Sequence, residues 1–139
     1  MDIVALILAI ALEFGVPGNF VLAIAYEESG LNPNAVSSAN SDGSRDWGLM
    51  QINDKWHCVE NWQDAETNIR AGVAYIKLLS EREEITTWWY VAVAYNAGMG
   101  RINNPPASTL RYAERVMNRW QELEGVKYLC PIIRRRDEN

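Results

Sequence analysis

The chain has 139 residues, enough for one domain with a buried core, and its composition of 48% hydrophobic and 22% charged residues excludes a wholly disordered protein. The formal net charge is −5, so the chain lacks the broad cationic field of a general nucleic-acid binder, and we expect no nucleic-acid partner. The charge is uneven, because residues 1–100 carry 5 basic and 13 acidic side chains whereas residues 101–139 carry 8 and 5. We predict a single domain over residues 1–139.

The first predicted element is a helix in the apolar run from Ile3 to Leu12. This run is only ten residues long, which is too short to cross a bilayer. It also lacks a basic segment before it and a small-residue cleavage site after it, so it does not resemble a secretory signal. Ile3, Ile7 and Ile10 recur at helical spacing, which predicts a buried helix instead. We expect neither a membrane span nor a signal peptide in this chain.

Four further helices follow from apolar spacing and from capping residues. They are predicted over Phe20 to about Ser29, Ala65–Ser80, Thr87–Ala97 and Ser108 to about Leu123. Asn19 is the predicted N-cap of the first of these helices, and Ser108 is the predicted N-cap of the last. Residues 31–61 are rich in Asn, Ser, Asp and Gly, which predicts a long irregular segment with a few extended residues near 48–53. The predicted fold class is therefore mainly α, with a long irregular or short β segment between helices.

Glu27 and Glu28 are the titratable residues with the most unusual surroundings. Both lie in the last turn of a short apolar helix, where the helix dipole disfavours negative charge. The two carboxylates repel each other and their neighbours are apolar, so a carboxyl group at this point is expected to have a raised pKa, as a general acid requires. The alternative is that both are exposed glutamates at a helix end. Helical spacing weakly favours Glu28 as the inward-facing residue, so we expect Glu27→Gln to retain activity.

Asp46 is the second candidate carboxylate. It lies in the polar segment, directly before residues 47–51. Glycoside cleavage commonly uses two carboxyl groups in different settings. The one in an apolar setting serves as the acid, and the one in a polar loop serves as the stabiliser. Loops are rich in aspartate, so this pairing by itself leaves the role of Asp46 open.

The remaining reactive side chains indicate no cofactor. His57 and Cys58 lie close together, but no suitably spaced partner completes a set of metal ligands, so we expect no metal and no other cofactor. Cys58 and Cys130 allow at most one disulfide, and we expect none because a long stretch of chain separates them. Trp47, Trp56 and Trp62 lie in the polar segment, where their rings could stack on sugars or pack beneath the loop.

Four motifs occur in order along the chain, and together they resemble a known family. They are Glu-Ser-Gly-Leu-Asn-Pro at 28–33, Gly-Leu-Met-Gln at 48–51, Asn-Ile at 68–69 followed by Gly72 and Tyr75, and Ala-Tyr-Asn-Ala-Gly at 94–98 followed by Gly100, Thr109 and Tyr112. The series is similar to the catalytic domain of the family-1 soluble lytic transglycosylases and covers about residues 4 to 120. The resemblance implies a lysozyme-like fold and an enzyme that cleaves bacterial peptidoglycan.

A second resemblance lies within the first. Residues 42–53 are similar to the active-site region of animal c-type lysozymes, in which the aspartate that matches Asp46 is the second catalytic carboxylate. Most soluble lytic transglycosylases lack that aspartate, although secretion-associated muramidases of the transglycosylase family carry a similar stretch. The choice between transglycosylation and hydrolysis therefore stays open.

The resemblance also implies roles for individual residues. Glu28 is expected to be the catalytic acid and base, with Asp46 as the second carboxylate. The substrate-binding residues are expected to be Ser37, Gln51, Asn53, Tyr95, Asn96 and Tyr112. In this assignment Tyr95 and Gln51 hydrogen-bond near the carboxyl group and the sugar, and Ser37 lies near the reacting sugar. Asn96 and Tyr112 shape the cleft.

The expected reaction is cleavage of the β-1,4 bond between N-acetylmuramic acid and N-acetylglucosamine, with 1,6-anhydromuramic ends as products. The first alternative is a hydrolytic lysozyme that uses Glu28 and Asp46. The second is a protein without catalytic activity that binds the cell wall or serves as a structural part of a phage tail or secretion apparatus. The expected partner is a peptidoglycan glycan strand, and we expect a monomer. Because the substrate lies there, we expect the protein to act in the periplasm or the extracellular cell wall. No signal peptide is visible, so we expect either that an export segment was trimmed or that a phage or secretion apparatus delivers the protein.

Overall fold

A computed structural model describes residues 2–134 and shows a mainly helical chain with one short hairpin. The helices are α1 (Ile3–Phe14), α2 (Gly18–Ser29), α3 (Ala65–Ser80), α4 (Trp88–Ala97) and α5 (Ala107–Glu124), with a 3-10 turn at Met99–Arg101. The strands are β1 (Asp46–Trp47) and β2 (Ile52–Asn53). In the part of the chain described, no helix combines the length and apolar character needed to cross a membrane.

Two predicted N-caps are wrong, and proline explains both. Helix α2 begins at Gly18 with Pro17 as its N-cap, so Asn19 lies inside the first turn. Helix α5 begins at Ala107 with Pro106 as its N-cap, so Ser108 also lies inside the helix. A proline ring fixes φ near the helical value and removes an amide hydrogen that a helix start leaves unpaired, so each helix begins directly after its proline.

Helix α2 forms the centre of the core. Its residues from Phe20 to Ala25 are all buried, which is why the segment is apolar on every side rather than on one stripe. It packs between α1 and α5, and α4 packs against α5 and α3. The ring of Phe20 lies 5.2 Å from the rings of both Trp88 and Trp120, joining α2, α4 and α5. Helix α2 is therefore held within the helical core from its first turn onward.

The hairpin is short and is fixed to α3 by one buried side chain. Its strands are antiparallel, with Asp46 opposite Asn53. The Asn68 side chain is fully buried; its Oδ1 accepts a hydrogen bond from the Met50 amide at 2.7 Å, and its Nδ2 donates to the Trp47 carbonyl at 2.9 Å. These bonds satisfy polar backbone groups of the tight turn, which would otherwise be buried without partners. The hairpin is thereby positioned beside the end of α2.

Candidate active site

Glu28 lies in the last turn of α2 and is held from two sides. The hydroxyl of Tyr112, on α5, donates to Glu28 Oε2 at 2.8 Å. The next residue, Ser29, donates through its hydroxyl to the Leu49 carbonyl in the hairpin turn at 2.8 Å. Helix α2 then ends at Gly30, whose φ of 62° is in the left-handed region that favours glycine. The carboxyl group is consequently placed between α5 and the hairpin.

Burial raises the pKa of Glu28 from 4.5 to about 8. Removal of the carboxylate from water is the largest cause, because an apolar setting disfavours the charged form. The hydrogen bond from Tyr112 favours the carboxylate and opposes this rise, whereas the charges of Asp46 and Glu27 add smaller increases. The group is therefore protonated at neutral pH, which is the state that a general acid needs.

The alternative interpretation, in which both glutamates are exposed at a helix end, does not hold for Glu27. Its side chain is only 11% exposed, and its two oxygens are paired with Arg115 at 2.9 Å and Arg119 at 3.3 Å. The two consecutive glutamates thus have different environments. Glu27 is compensated by cations, whereas the carboxyl group of Glu28 accepts a hydrogen bond from the neutral hydroxyl of Tyr112.

Asp46, at the start of β1, is held by two amide side chains. Its Oδ1 accepts from Asn53 Nδ2 at 2.9 Å, directly across the hairpin, and its Oδ2 accepts from Asn40 Nδ2 at 3.3 Å. Ser37 fixes the backbone at the same place, because its hydroxyl accepts from the Asp46 amide at 2.9 Å. These partners fix the orientation of the carboxyl group in a polar setting.

A cleft of about 440 Å³ runs along the hairpin and the end of α4. Its lining includes Asp46, Gln51, Asn53, Tyr95 and Asn96, five of the eight predicted site residues. Glu28 is not part of this lining. Its carboxyl group interacts electrostatically with Asp46 and with the Tyr95 hydroxyl, both of which line the cleft. The acid therefore lies next to the cleft.

Tyr95 and Gln51, which are expected to hydrogen-bond near the carboxyl group and the sugar, bond the backbone around the hairpin turn. The Tyr95 hydroxyl donates to the Met50 carbonyl at 2.6 Å, and Gln51 Nε2 donates to the carbonyls of Ala35 and Gly48 at 3.1 and 3.0 Å. Both side chains brace the hairpin turn rather than the Glu28 carboxyl group. The residue that bonds this carboxyl is Tyr112, which the sequence assigned only to the shape of the cleft.

Asn96 and Asn40 complete the polar side of the site. Asn96 Oδ1 accepts from the Thr109 hydroxyl at 2.7 Å, which links the end of α4 to the start of α5. Asn40 lines the cleft and bonds Asp46, and sequence analysis missed it. No pattern could have found it, because asparagine is common in polar loops and its partner is decided by the folded path of residues 31–45.

The aromatic and sulfur-containing residues of the polar segment have distinct environments. Trp47 and Trp62 pack together with ring centres 5.0 Å apart, whereas Trp56 is 75% exposed and lines the cleft. Cys58 and Cys130 are both free and exposed. Within residues 2–134, no group of three or more His, Cys, Asp or Glu side chains is arranged to hold a metal ion.

The family model for the transglycosylase SLT domain matches residues 5–118, which is most of the chain. The chain belongs to this family. Its predicted membership in the lytic transglycosylases is therefore confirmed, and the chain is an enzyme of that class.

Relatives of this SLT domain include proteins of similar length. Protein IpgF of Shigella flexneri is 36% identical over 116 residues, covering 78% of this chain and 74% of the relative. Invasion protein IagB of Salmonella typhimurium is 30% identical over 122 residues, covering 81% and 73%. The membrane-bound lytic murein transglycosylase F of Shewanella denitrificans is 31% identical over 119 residues, but this SLT domain spans only 23% of it.

Two solved structures share the fold. The soluble lytic transglycosylase SLT70 of Escherichia coli has a TM-score of 0.69 at 22% identity, over 86% of this chain and 24% of that one. An inactive variant of the lytic transglycosylase Slt of Pseudomonas aeruginosa has a TM-score of 0.72 at 20% identity, over 88% and 24%. These likenesses confirm the predicted mainly α, lysozyme-like fold of the SLT domain.

Proposed function

We propose that this domain cleaves peptidoglycan glycan strands at the β-1,4 bond between N-acetylmuramic acid and N-acetylglucosamine, using Glu28 as both acid and base. The observation that carries the proposal is the Glu28 carboxyl group, withdrawn from water beside the cleft and bonded to the Tyr112 hydroxyl. Family membership supports the substrate, because the SLT family model covers residues 5–118 and lytic murein transglycosylase F is 31% identical over 119 residues.

In the first step, protonated Glu28 donates its proton to the glycosidic oxygen, and the bond from that oxygen to C1 of the muramic residue breaks. With a pKa of about 8, Glu28 holds this proton at neutral pH. Tyr112 orients the carboxyl group and favours the carboxylate that proton transfer produces, since a hydrogen bond to the charged form stabilises it. The substrate's own 2-acetamido group stabilises the positive charge at C1.

In the second step, the Glu28 carboxylate removes the proton from the C6 hydroxyl of the same muramic residue. The oxygen of that hydroxyl forms a new bond to C1 and closes a 1,6-anhydro ring, so no water is consumed. An intramolecular hydroxyl has a large effective concentration, which favours ring closure over attack by water. Glu28 ends protonated and ready for another cycle.

The cleft is suited to an extended, hydrated sugar chain. The amide side chains of Asn40, Asn53 and Asn96 and the carboxylate of Asp46 present hydrogen-bonding groups along it. Trp56 lines the same cleft with most of its surface free, so its ring can stack on the apolar face of a sugar.

The product of the reaction tests this proposal. Digestion of purified cell walls in heavy-oxygen water should release 1,6-anhydromuramic ends that carry no label and are lighter by one water than reducing ends. Glu28→Gln should abolish release, and Glu13→Gln is the matched control, because Glu13 is an ion-paired glutamate on a different helix. Full activity of Glu28→Gln would refute the assignment of the acid.

Hydrolysis is the second candidate function, and the geometry of Asp46 favours it. Asp46 lines the cleft with both carboxylate oxygens held, and its charge acts on Glu28. In a hydrolase this carboxylate would stabilise or trap the cation at C1, and water would complete the reaction. Labelled reducing ends, together with an Asp46→Asn variant as inactive as Glu28→Gln, would establish hydrolysis. Under our proposal Asp46→Asn reduces activity only modestly, because its charge assists the chemistry without carrying it.

A purely wall-binding role has a separate test. Protein that sediments with peptidoglycan but releases no soluble fragments would establish it. The site of action under our proposal is the periplasm or the extracellular cell wall of bacteria, where the substrate lies.

A further inference from the structure

Glu27 is held between two arginines of α5. Its Oε2 pairs with Arg115 Nε at 2.9 Å and its Oε1 with Arg119 Nη2 at 3.3 Å. The glutamate side chain is 11% exposed, whereas the arginines are 55% and 39% exposed. A carboxylate that is mostly withdrawn from water and uses both oxygens on cations is unlike an ordinary surface ion pair, which holds its partners only weakly.

The same two helices also meet through the residues on either side of Glu27. The Arg119 guanidinium lies over the Tyr26 ring, 4.7 Å from its centre, and Tyr112 bonds Glu28. Three consecutive residues of α2 thus contact α5 through their side chains. Because Tyr112 and Arg115 are one helical turn apart, the contacts to Glu27 and Glu28 lie side by side.

We propose that Glu27 is a positioning residue for Glu28, and that its clamp with Arg115 and Arg119 holds the acid against Tyr112 while partly compensating the negative charge of Glu27 beside it. This inference rests on the proposed function only in assuming that Glu28 is the acid. Glu27 itself touches no reacting atom.

The groups that act on Glu28 are Tyr112 of α5, Tyr95 of α4, Asp46 of β1 and the preceding Glu27 of α2. Arg115 and Arg119 of α5 pair with Glu27, so they affect Glu28 through that charge. The Glu27 charge raises the pKa of Glu28, and cations at this position act in the opposite direction. Removal of the Glu27 charge leaves two uncompensated cations near the acid and should lower its pKa. Removal of Arg115 leaves the charge of Glu27 less compensated and should raise the pKa of Glu28.

The test is a carbon-13 NMR titration of the Glu28 carboxyl group in the whole chain, with the resonance assigned by its loss in Glu28→Gln. The midpoint should fall by roughly half a pH unit in Glu27→Gln, which is about a threefold change in the ionisation constant. It should rise by a smaller amount in Arg115→Gln, whose side chain is 55% exposed and so is replaced at little cost in folding. Glu13→Gln, which breaks the Glu13–Arg70 pair between α1 and α3, should leave the midpoint unchanged.

Activity gives a second readout. Each variant should retain activity at acidic pH, and the alkaline limb of its pH–rate profile should move in the same direction as its titration midpoint. Midpoints that do not move, or that move in the same direction in both variants, would overturn the inference and leave the clamp as a packing feature only. Because the titration needs no catalysis, an inactive wild-type protein would refute the proposed function and not the clamp.

Discussion

Replacement of Glu28 by glutamine should stabilise the protein in alkaline solution. The wild-type carboxyl group is protonated in the folded chain up to a pKa of about 8, whereas in the unfolded chain it ionises near the ordinary value of 4.5. Between these values the folded state binds the additional proton, so folding stability falls as the pH rises. Glutamine keeps the shape of the side chain and can still accept from Tyr112, but it has no charge to withdraw from water.

The magnitude follows from the difference between the two pKa values. At about 1.4 kcal/mol for each pH unit, the step from 4.5 to about 8 corresponds to about 5 kcal/mol. Because Glu28 keeps some exposure to solvent, we expect a stabilisation of about 3–5 kcal/mol at pH 9 and close to none at pH 4. For a domain of this size that corresponds to a rise in Tm of roughly 10–20 °C at pH 9.

Thermal and urea unfolding of the two proteins at pH 4 and pH 9 measures this difference. Glu13→Gln serves as the control, because Glu13 is an exposed, ion-paired glutamate whose pKa is lowered by Arg70. That variant should show no stabilisation at either pH. If Glu28→Gln and wild type differ by the same amount at pH 4 and pH 9, the Glu28 carboxyl group is not desolvated. The reasoning that makes it an acid near neutral pH would then be wrong.

Three further predictions concern the site and its support. Tyr112→Phe removes the bond that favours the Glu28 carboxylate, so the alkaline limb of the pH–rate profile should move to higher pH while kcat falls. Asn68→Ala removes the partner of the buried Met50 amide and a donor to the part-buried Trp47 carbonyl, so urea unfolding should show a loss of about 2–4 kcal/mol. Native protein should take up two thiol labels without prior reduction, because Cys58 and Cys130 are free and exposed; labelling only after reduction would contradict this.

Much of the fold follows from local sequence. The predicted helix over Ala65–Ser80 agrees with α3 at both ends, because apolar spacing and a polar cap are properties of neighbouring residues. The N-caps predicted at Asn19 and Ser108 failed for an equally local reason, since each lies just after a proline that starts the helix earlier. The hairpin was predicted only as a few extended residues near 48–53, and its two-residue strands at 46–47 and 52–53 are too short to produce an alternating pattern.

The order of the motifs along the chain was enough to identify the family and to select Glu28, because those motifs can be recognised without knowing what they touch. The protonation state of Glu28, in contrast, could not be predicted from the motifs. Its pKa depends on burial by elements distant in sequence and on Tyr112, which lies 84 positions further along the chain. Likewise the compensation of Glu27 comes from arginines on α5, so two adjacent glutamates that look alike in sequence acquire different environments. Desolvation and charge pairing depend on distances in space, and only the tertiary structure brings these groups within range of one another.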